Sequence, residues 1–257
     1  MRGLTRGLDL LRAINVQEGG RSSLGQLAEV TGLHRTTVRR LLETLIAEGY
    51  IRRSDSDDSY CLALRVRSLA EGFRDDDWIS GIVAPALSEL LQAVVWPSDL
   101  TTPQGAHLVI RESTHRFSPL SFHRAMVGQT MPMLLTAAGR AFLAACPDDQ
   151  REEILQLVRA GDDDQARLAA NERFVHNVLE RTREQGYGSN DGEWTSRRKV
   201  GAIALPILLN QRPLGAINIV YLNRMVTPRE AERRYLPALQ RAVSRIEEKL
   251  AEQQGLR

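Results

Sequence analysis

Arg35, Thr36, Thr37, Arg39 and Arg40 stand almost side by side, and Arg52 and Arg53 follow shortly after. A guanidinium can fork onto guanine O6 and N7 or onto a phosphate, and a threonine offers a hydroxyl and a methyl to a base edge. The grouping suits contact with a DNA duplex, provided the side chains share one face of a rigid element. Val38, Leu41, Leu42, Leu45 and Ile46 supply that element, since they recur at i, i+3, i+4, i+7 and i+8, the inward face of an α-helix. Thr36, Arg40 and Glu43 then point outward, with Thr37 and Arg39 on the shoulders.

The helix before it starts at Ser23, three residues ahead of Gln26, which is the spacing of a capping box. Leu24, Leu27 and Ala28 give that helix an inward face, Thr31-Gly32 stops it and Leu33 fills the corner. Two helices so joined form a helix-turn-helix, whose second helix fits the major groove. Gly49 ends the second helix, and YIRR and SDSDDSYCLA read as two strands around the turn Asp57-Asp58-Ser59, the wing of a winged helix. The predicted DNA contacts are Ser23, Arg35, Thr36, Thr37, Arg39, Arg40, Arg52 and Arg53. The same arginines would also serve as the solvated face of an ordinary helical bundle, or as a surface for a protein partner.

A second constellation lies further on. Thr136 opens a small-residue helix, TAAGRAFLAAC, whose first N–H groups at Ala137, Ala138 and Gly139 suit a carboxylate. Close helix packing also selects small residues, so both readings stand. His115-Arg116-Phe117 to Phe122-His123-Arg124 is dense in basic and aromatic side chains, and reads as an exposed hairpin, a cover over an aromatic acid or a DNA contact. Trp194 with Arg197, Arg198 and Lys199 reads as a loop beside a pocket. The five histidines show no metal-ligand spacing, so no metal and no cofactor are expected. There is no G-x-S-x-G elbow, phosphate loop or H-E-x-x-H pair, and no catalytic residue is assigned.

Length and charge fit this division. A chain of 257 residues accommodates two domains, and its net charge of +2 is unevenly placed. Residues 1–67 hold eleven arginines against eight acidic side chains, a surplus of three, and the remainder carries a net −1. So small a surplus predicts modest non-specific DNA affinity and leaves specificity to geometry and dimerisation. Lys199 and Lys249 are the only lysines, which points to compositional bias. Cys61 and Cys146 form no disulfide framework, no signal peptide opens the sequence, and GAIALPILL is too short to span a bilayer. A reduced, cytoplasmic protein with no membrane association is expected.

Around these constellations the chain reads as α+β. Leu4, Leu8, Leu11 and Ile14 mark a helix closed by Gly19-Gly20, the third helix that a winged helix needs. Leu62, Val66, Leu69 and Phe73 form a narrow stripe, a linker or dimer seam that packing onto its own domain would equally explain. Beyond it, Ile79 to Val94 is a helix closed by Trp96-Pro97, and Leu100–Thr102 and His107–Arg111 are strands around Pro103-Gln104-Gly105. Another strand is expected at Leu120–His123, with helices at 148–159 and about 165–185. GAIALPILL and LGAINIVYL form a hairpin through Asn210 to Pro213. Thr227-Pro228-Arg229-Glu230 starts a last helix that Pro237 kinks or restarts. The predicted domains are 1–64, 65–79 as a linker and dimerisation helix, and 80–257, an antiparallel sheet flanked by helices.

Three motifs in this order, GLHRTTVRRLLETLIAEGYIRR, VGQTMPMLLTAAGRAFLAA, and GYG followed by GAIALPI, resemble the IclR family of bacterial transcription regulators over nearly the whole chain. The resemblance implies a homodimer or homotetramer on a palindromic operator of double-stranded DNA, with a GAF-like effector-binding domain for an organic acid. RNA polymerase is a further partner of an activator of this kind. Two departures matter. Asp55, Asp57 and Asp58 put acid at the wing tip, so Arg35, Arg52 and Arg53 must hold the phosphates. Members that sense very small oxo-acids line their pocket with a cysteine and two serines, where this chain has Ala202, Asn218 and Val220. A larger, less polar ligand follows, an aromatic carboxylate of the phenylpropionate type from a catabolic pathway. Its carboxylate is expected on Ala137, Ala138 and Gly139, its polar groups on Asp191 and Asn218, and its ring against Met133, Ala202 and Val220. The rival reading is an enzyme acting on a carboxylated aromatic, with an appended winged helix.

Overall fold

A computed structural model describes residues 2–15, 17, 20–69, 78–121, 126–194, 197–253 and 255. The chain divides into two compact units, Met1–Arg74 and Asp75–Arg257.

The first unit runs α1 (Arg2–Asn15), β1 (Arg21–Ser23), α2 (Leu24–Thr31), α3 (Arg35–Ala47), β2 (Ile51–Arg53), β3 (Ser59–Leu62) and a short turn of helix, α4 (Arg65–Ser68). Its core gathers Leu10, Ala13, Ile14, Leu27, Val38, Leu42 and Ile51 from all three long helices and the wing. Ser23 caps α2 as its spacing predicts, with its hydroxyl accepting from Gln26 N–H and Gln26 reaching back to Ser23 N–H. Gly32 ends α2 at φ 65°, in the left-handed conformation that glycine adopts without steric cost. The wing is a three-stranded antiparallel sheet in the order β1-β3-β2, because Arg21–Ser23 adds an edge that the sequence pattern does not announce. Two further expectations are corrected. Ile46 is 39% exposed and lies outside the α3 core face, and Leu4 and Leu8 are exposed while Leu10 takes the inward position. Of the expected 65–79 helix, α4 covers four residues, and Phe73 falls outside the described residues.

The second unit begins with a π-helical turn, Ile79–Val83, that leads into α5 (Ala84–Val94). It continues through β4 (Ser98–Gln104), β5 (His107–Ser113), β6 (Thr130–Pro132), α6 (Ala137–Ala145), α7 (Asp148–Arg159), α8 (Asp164–Ala169), α9 (Glu172–Gln185), β7 (Gly188–Asp191), β8 (Val200–Leu209), β9 (Arg212–Leu222) and α10 (Pro228–Gln253). The strands form one antiparallel sheet in the order β6-β5-β4-β9-β8-β7. Period-two alternation sorts side chains by size between its faces. Ile203, Leu205, Ile207, Ile217, Ile219 and Tyr221 join α5 and α10 in one core, and Ala202, Ala204 and Ala216 join α6 in another.

The small side lets helix and sheet approach closely. A Cβ on Gly188 would lie 2.1 Å from Ala137 O, and one on Gly139 would lie 2.1 Å from Met133 O, both backbone atoms that cannot swing aside. The β8–β9 hairpin turns at Asn210 and Gln211, whose φ of 52° and 63° give the two left-handed residues of a type I′ turn. Elsewhere the sequence pattern misleads. Thr114–Ser121 is turn and irregular chain, not a strand, and Phe122 and His123 lie outside the described residues. The expected 165–185 helix is two helices, divided where the Asn171 side chain caps α9 by accepting from Phe174 N–H. α10 runs unbroken through Pro237.

Candidate functional site

On the first unit α3 exposes Arg35, Thr36, Arg39, Arg40 and Glu43, with Thr37 half-buried on its shoulder. His34 caps this helix, its Nδ1 accepting from Thr36 N–H at 3.4 Å and lying 2.9 Å from Thr36 Oγ1. With Nδ1 accepting the backbone proton, the Thr36 hydroxyl lies within reach of the same lone pair and keeps its own lone pairs for a base amino group. Arg52 and Arg53 are exposed at the start of the wing, where Arg53 is tied to Asp58 at 2.6 Å. Asp57 accepts from the hydroxyl and the N–H of Ser59, which hold its carboxyl below the usual carboxylate range. The wing tip is thus firmly anionic. α3 with Arg52 forms the cationic face that can meet a groove, and Ser23 stands at the head of α2 with its hydroxyl committed to the cap.

On the second unit a cavity opens on the small-residue face of the sheet. Asp99 of β4, Met131 of β6, Asn190 of β7, Ala202 of β8, and Asn218 and Val220 of β9 line it. His115, Met126, Thr136, Ala137, Trp194, Arg197 and Val200 complete its wall. About 430 Å³ lies between these walls with the mouth included, and the room open to water-sized groups is about 40 Å³. That space suits one or two waters, so a ring-sized ligand must part the walls. Arg197 brings the cation. Its guanidinium donates to Gln129 Oε1 at 2.7 Å, lies 3.7 Å from Met126 Sδ and stacks over the Trp194 ring at 5.0 Å. Asn218 Oδ1 accepts from Asp99 N–H at 2.8 Å, so its NH₂ is the donor left for a ligand.

Of the expected effector residues, the cavity brings together Ala137, Ala202, Asn218 and Val220. Met133, Ala138 and Gly139 are buried in the α6 packing, and Asp191 is exposed at the end of β7. Two of the three donors expected to hold a carboxylate at the start of α6 are engaged within the protein. Ala137 N–H donates to Asn190 Oδ1 at 3.1 Å and Gly139 N–H to Thr136 Oγ1 at 3.2 Å. His115 is also buried, although Arg116 and Phe117 beside it are exposed as a hairpin tip would be. Asp99 went unnoticed in the sequence, where the available signal was a lone acid at the head of an otherwise uncharged strand, SDLTT. Among the described residues no group of three His, Cys, Asp or Glu side chains is placed to hold a metal, and no helix is long and apolar enough to cross a membrane.

A winged helix with a cationic second helix is the class of a DNA-binding regulator, and a separate α+β unit carries a cavity beside its sheet. Residues 3–55 match the model of the IclR helix-turn-helix domain, and residues 78–248 match that of the bacterial transcriptional regulator IclR C-terminal domain. The chain therefore belongs to the IclR family, and it is a sequence-specific transcriptional regulator. It is 27% identical over 194 residues to the transcriptional repressor IclR of Escherichia coli (strain K12), covering 75% of this chain and 70% of that protein. It is 28% identical over 247 residues to the Pca regulon regulatory protein of Pseudomonas putida, covering 93% and 80%. An IclR homolog complexed with 4-hydroxybenzoate, from Microbacterium hydrocarbonoxydans, shares the fold with a TM-score of 0.54 at 19% identity, covering 97% of this chain and 99% of that one. The family and these relatives are regulators, which disfavours the enzyme reading.

Proposed function

We propose that this chain activates an aromatic-acid catabolic operon in response to a phenylpropionate-type carboxylate held in the cavity of its second unit. The observation that carries the reading is the cavity's make-up. Met126, Met131, Trp194, Ala202 and Val220 form an apolar wall, and Arg197 is the one arginine or lysine among its described lining residues. An aromatic acid matches it, with the ring against the apolar wall and the carboxylate on Arg197 in place of the engaged α6 amides. VRGLTRGL-like opening residues with HRTTVRRLLETL, SDDSYCL, EGFRDDDWIS and HRFSPLSFHRAMVG also resemble the family's activator of 3-(3-hydroxyphenyl)propionate degradation. The homolog with bound 4-hydroxybenzoate supports an aromatic acid as the ligand class.

In this proposal a cytoplasmic homodimer or homotetramer places two α3 helices on a palindromic operator. Residues 1–64 bind DNA, 65–79 link and dimerise, 80–257 take the effector, and RNA polymerase is recruited. Thr36, Thr37, Arg39 and Arg40 face the groove, Arg35, Arg52 and Arg53 hold phosphates, and Ser23 contributes from the head of α2. The effector acts only to the extent that it binds one operator-competent arrangement more tightly than another. The test is a gel shift on the DNA upstream of the protein's own gene, with and without 3-(3-hydroxyphenyl)propionate. The expected result is a shift whose affinity or footprint changes with the acid. A shift indifferent to every aromatic acid would remove the effector assignment and leave the regulator in place.

A further inference from the structure

Asp99 and His115 meet on the cavity wall with their side chains 1% and 4% exposed, Asp99 Oδ2 lying 3.5 Å from His115 Nε2. Both are held from behind. Asp99 N–H donates to Asn218 Oδ1 at 2.8 Å, His115 N–H donates to Ser113 Oγ at 3.2 Å, and His115 Nδ1 lies 2.6 Å from Ser121 Oγ. Yet Asp99 Oδ1 and His115 Nε2 are fully buried and neither has a hydrogen-bond partner. Buried polar atoms of folded proteins are nearly always paired, and the two residues that carry these atoms line the cavity, so the pair calls for a group that enters it.

We propose that Asp99 and His115 form a hydroxyl-reading pair that takes an alcohol or phenol group of the effector, an assignment that rests on this cavity being the effector site. A carboxylate only accepts, and beside Asp99 it would meet like charge. An ammonium only donates and leaves His115 Nε2 unmatched whenever that atom carries the proton. A hydroxyl both donates and accepts, so it satisfies Asp99 Oδ1 and His115 Nε2 whichever of the two holds the proton. The acid group then belongs at Arg197, and the effector class narrows to hydroxylated carboxylic acids. An analogue lacking the hydroxyl leaves both buried atoms unpaired, and sites built this way reject such analogues strongly.

The experiment is calorimetry on the full chain with matched acids: 3-(3-hydroxyphenyl)propionate against 3-phenylpropionate, 4-hydroxybenzoate against benzoate, and 3-hydroxybutyrate against butyrate. The expected result is a preference of about 10- to 100-fold for the hydroxylated member of the pair that fits. In Asp99→Ala and His115→Ala the ratio collapses towards one. Arg197→Ala weakens both members alike and keeps the ratio. Because the readout is a ratio within one variant, a general loss of affinity does not imitate it, and Asp99→Asn supplies a shape-conserving variant if the alanine fails to fold. Equal affinities within the aromatic pairs would overturn the hydroxyl pair and leave the aromatic effector standing. Binding confined to the aliphatic pair, with 3-hydroxybutyrate preferred and no aromatic acid bound, would uphold the hydroxyl pair and overturn the aromatic effector. A preference that survives both substitutions, or no binding by any of the six acids, would overturn the assignment.

Discussion

The side chains proposed to face DNA all come from residues 23–53, and most stand on one helix whose other face fills its own domain's core. The cavity draws on residues from Asp99 to Val220, contributed by five strands, one helix and the segments between them. A local site inherits its geometry from the helical repeat, so one stretch of sequence dictates both the scaffold and the face. A distributed site inherits its geometry from strand order and register, and no short stretch displays either. The two sites should therefore break differently: the first through the contact residue itself, the second through residues that never touch the ligand.

The largest effect should come from such a supporting residue. Gly188→Ala pushes a Cβ into the backbone of α6, and should cost about 3 kcal/mol or more, seen as a drop of many degrees in the melt of the second unit. An unchanged melt would mean that α6 can retreat from β7 freely, and the contrast between the two sites would lose its basis. Arg40→Ala is the converse case. It should leave the melt unchanged and lower specific DNA affinity by about 10- to 100-fold, measured by anisotropy, with effector affinity untouched.

Thr227→Ala asks whether a local signal inside the distributed unit behaves as local. It removes the hydroxyl from the cap of α10, where Thr227 Oγ1 donates to Glu230 and accepts from Glu230 N–H, leaves the residue-227 N–H on the Glu230 carboxylate, and should cost about 1 kcal/mol in a chemical melt. Those two donors hold the Glu230 carboxyl below the usual carboxylate range, the backbone N–H contributing most. Its share of stability is complete above that range and is lost as pH falls through the lowered value, so the deficit of the variant should shrink in acid. The smallest effect should come from Asp58→Asn. Releasing Arg53 from its partner should strengthen DNA binding a few-fold and steepen the salt dependence by about one unit, and an unchanged slope would mean that Arg53 never reaches a phosphate.

The winged helix was legible because Ser23 and Gln26, Gly32, and the apolar spacing of α3 are each local instructions that agree with one another. Ile46 escaped because at the end of α3 the core no longer extends beneath it, a fact of packing rather than of period. In the second unit the strands β4, β5, β8 and β9 were legible from alternation and turns, and α10 from its cap. β1, β6 and β7 are too short to carry a pattern and exist through their partners' hydrogen bonds. TAAGRAFLAAC was open to two readings, and Gly139 against Met133 shows why: the smallness that admits a ligand also admits a neighbouring backbone. Half of the expected effector residues line the cavity, because strand positions 202, 218 and 220 are fixed by alternation. Asp99 reads only as a lone acid and His115 only as part of a basic and aromatic segment, since their meeting is set by the pairing of β4 with β5, about which neither stretch is informative alone.

The sorting of β8 and β9 into a large-residue face and a small-residue face also bears on how such a molecule changes its diet. Positions 203, 205, 207, 217, 219 and 221 point into a packed layer with α5 and α10, where a change of one methylene is felt by many neighbours. Positions 202, 218 and 220 on the opposite face look into the cavity. Each strand is thus conservative and experimental on alternate residues. Editing every second letter can reshape the cavity, while the intervening letters keep the sheet intact.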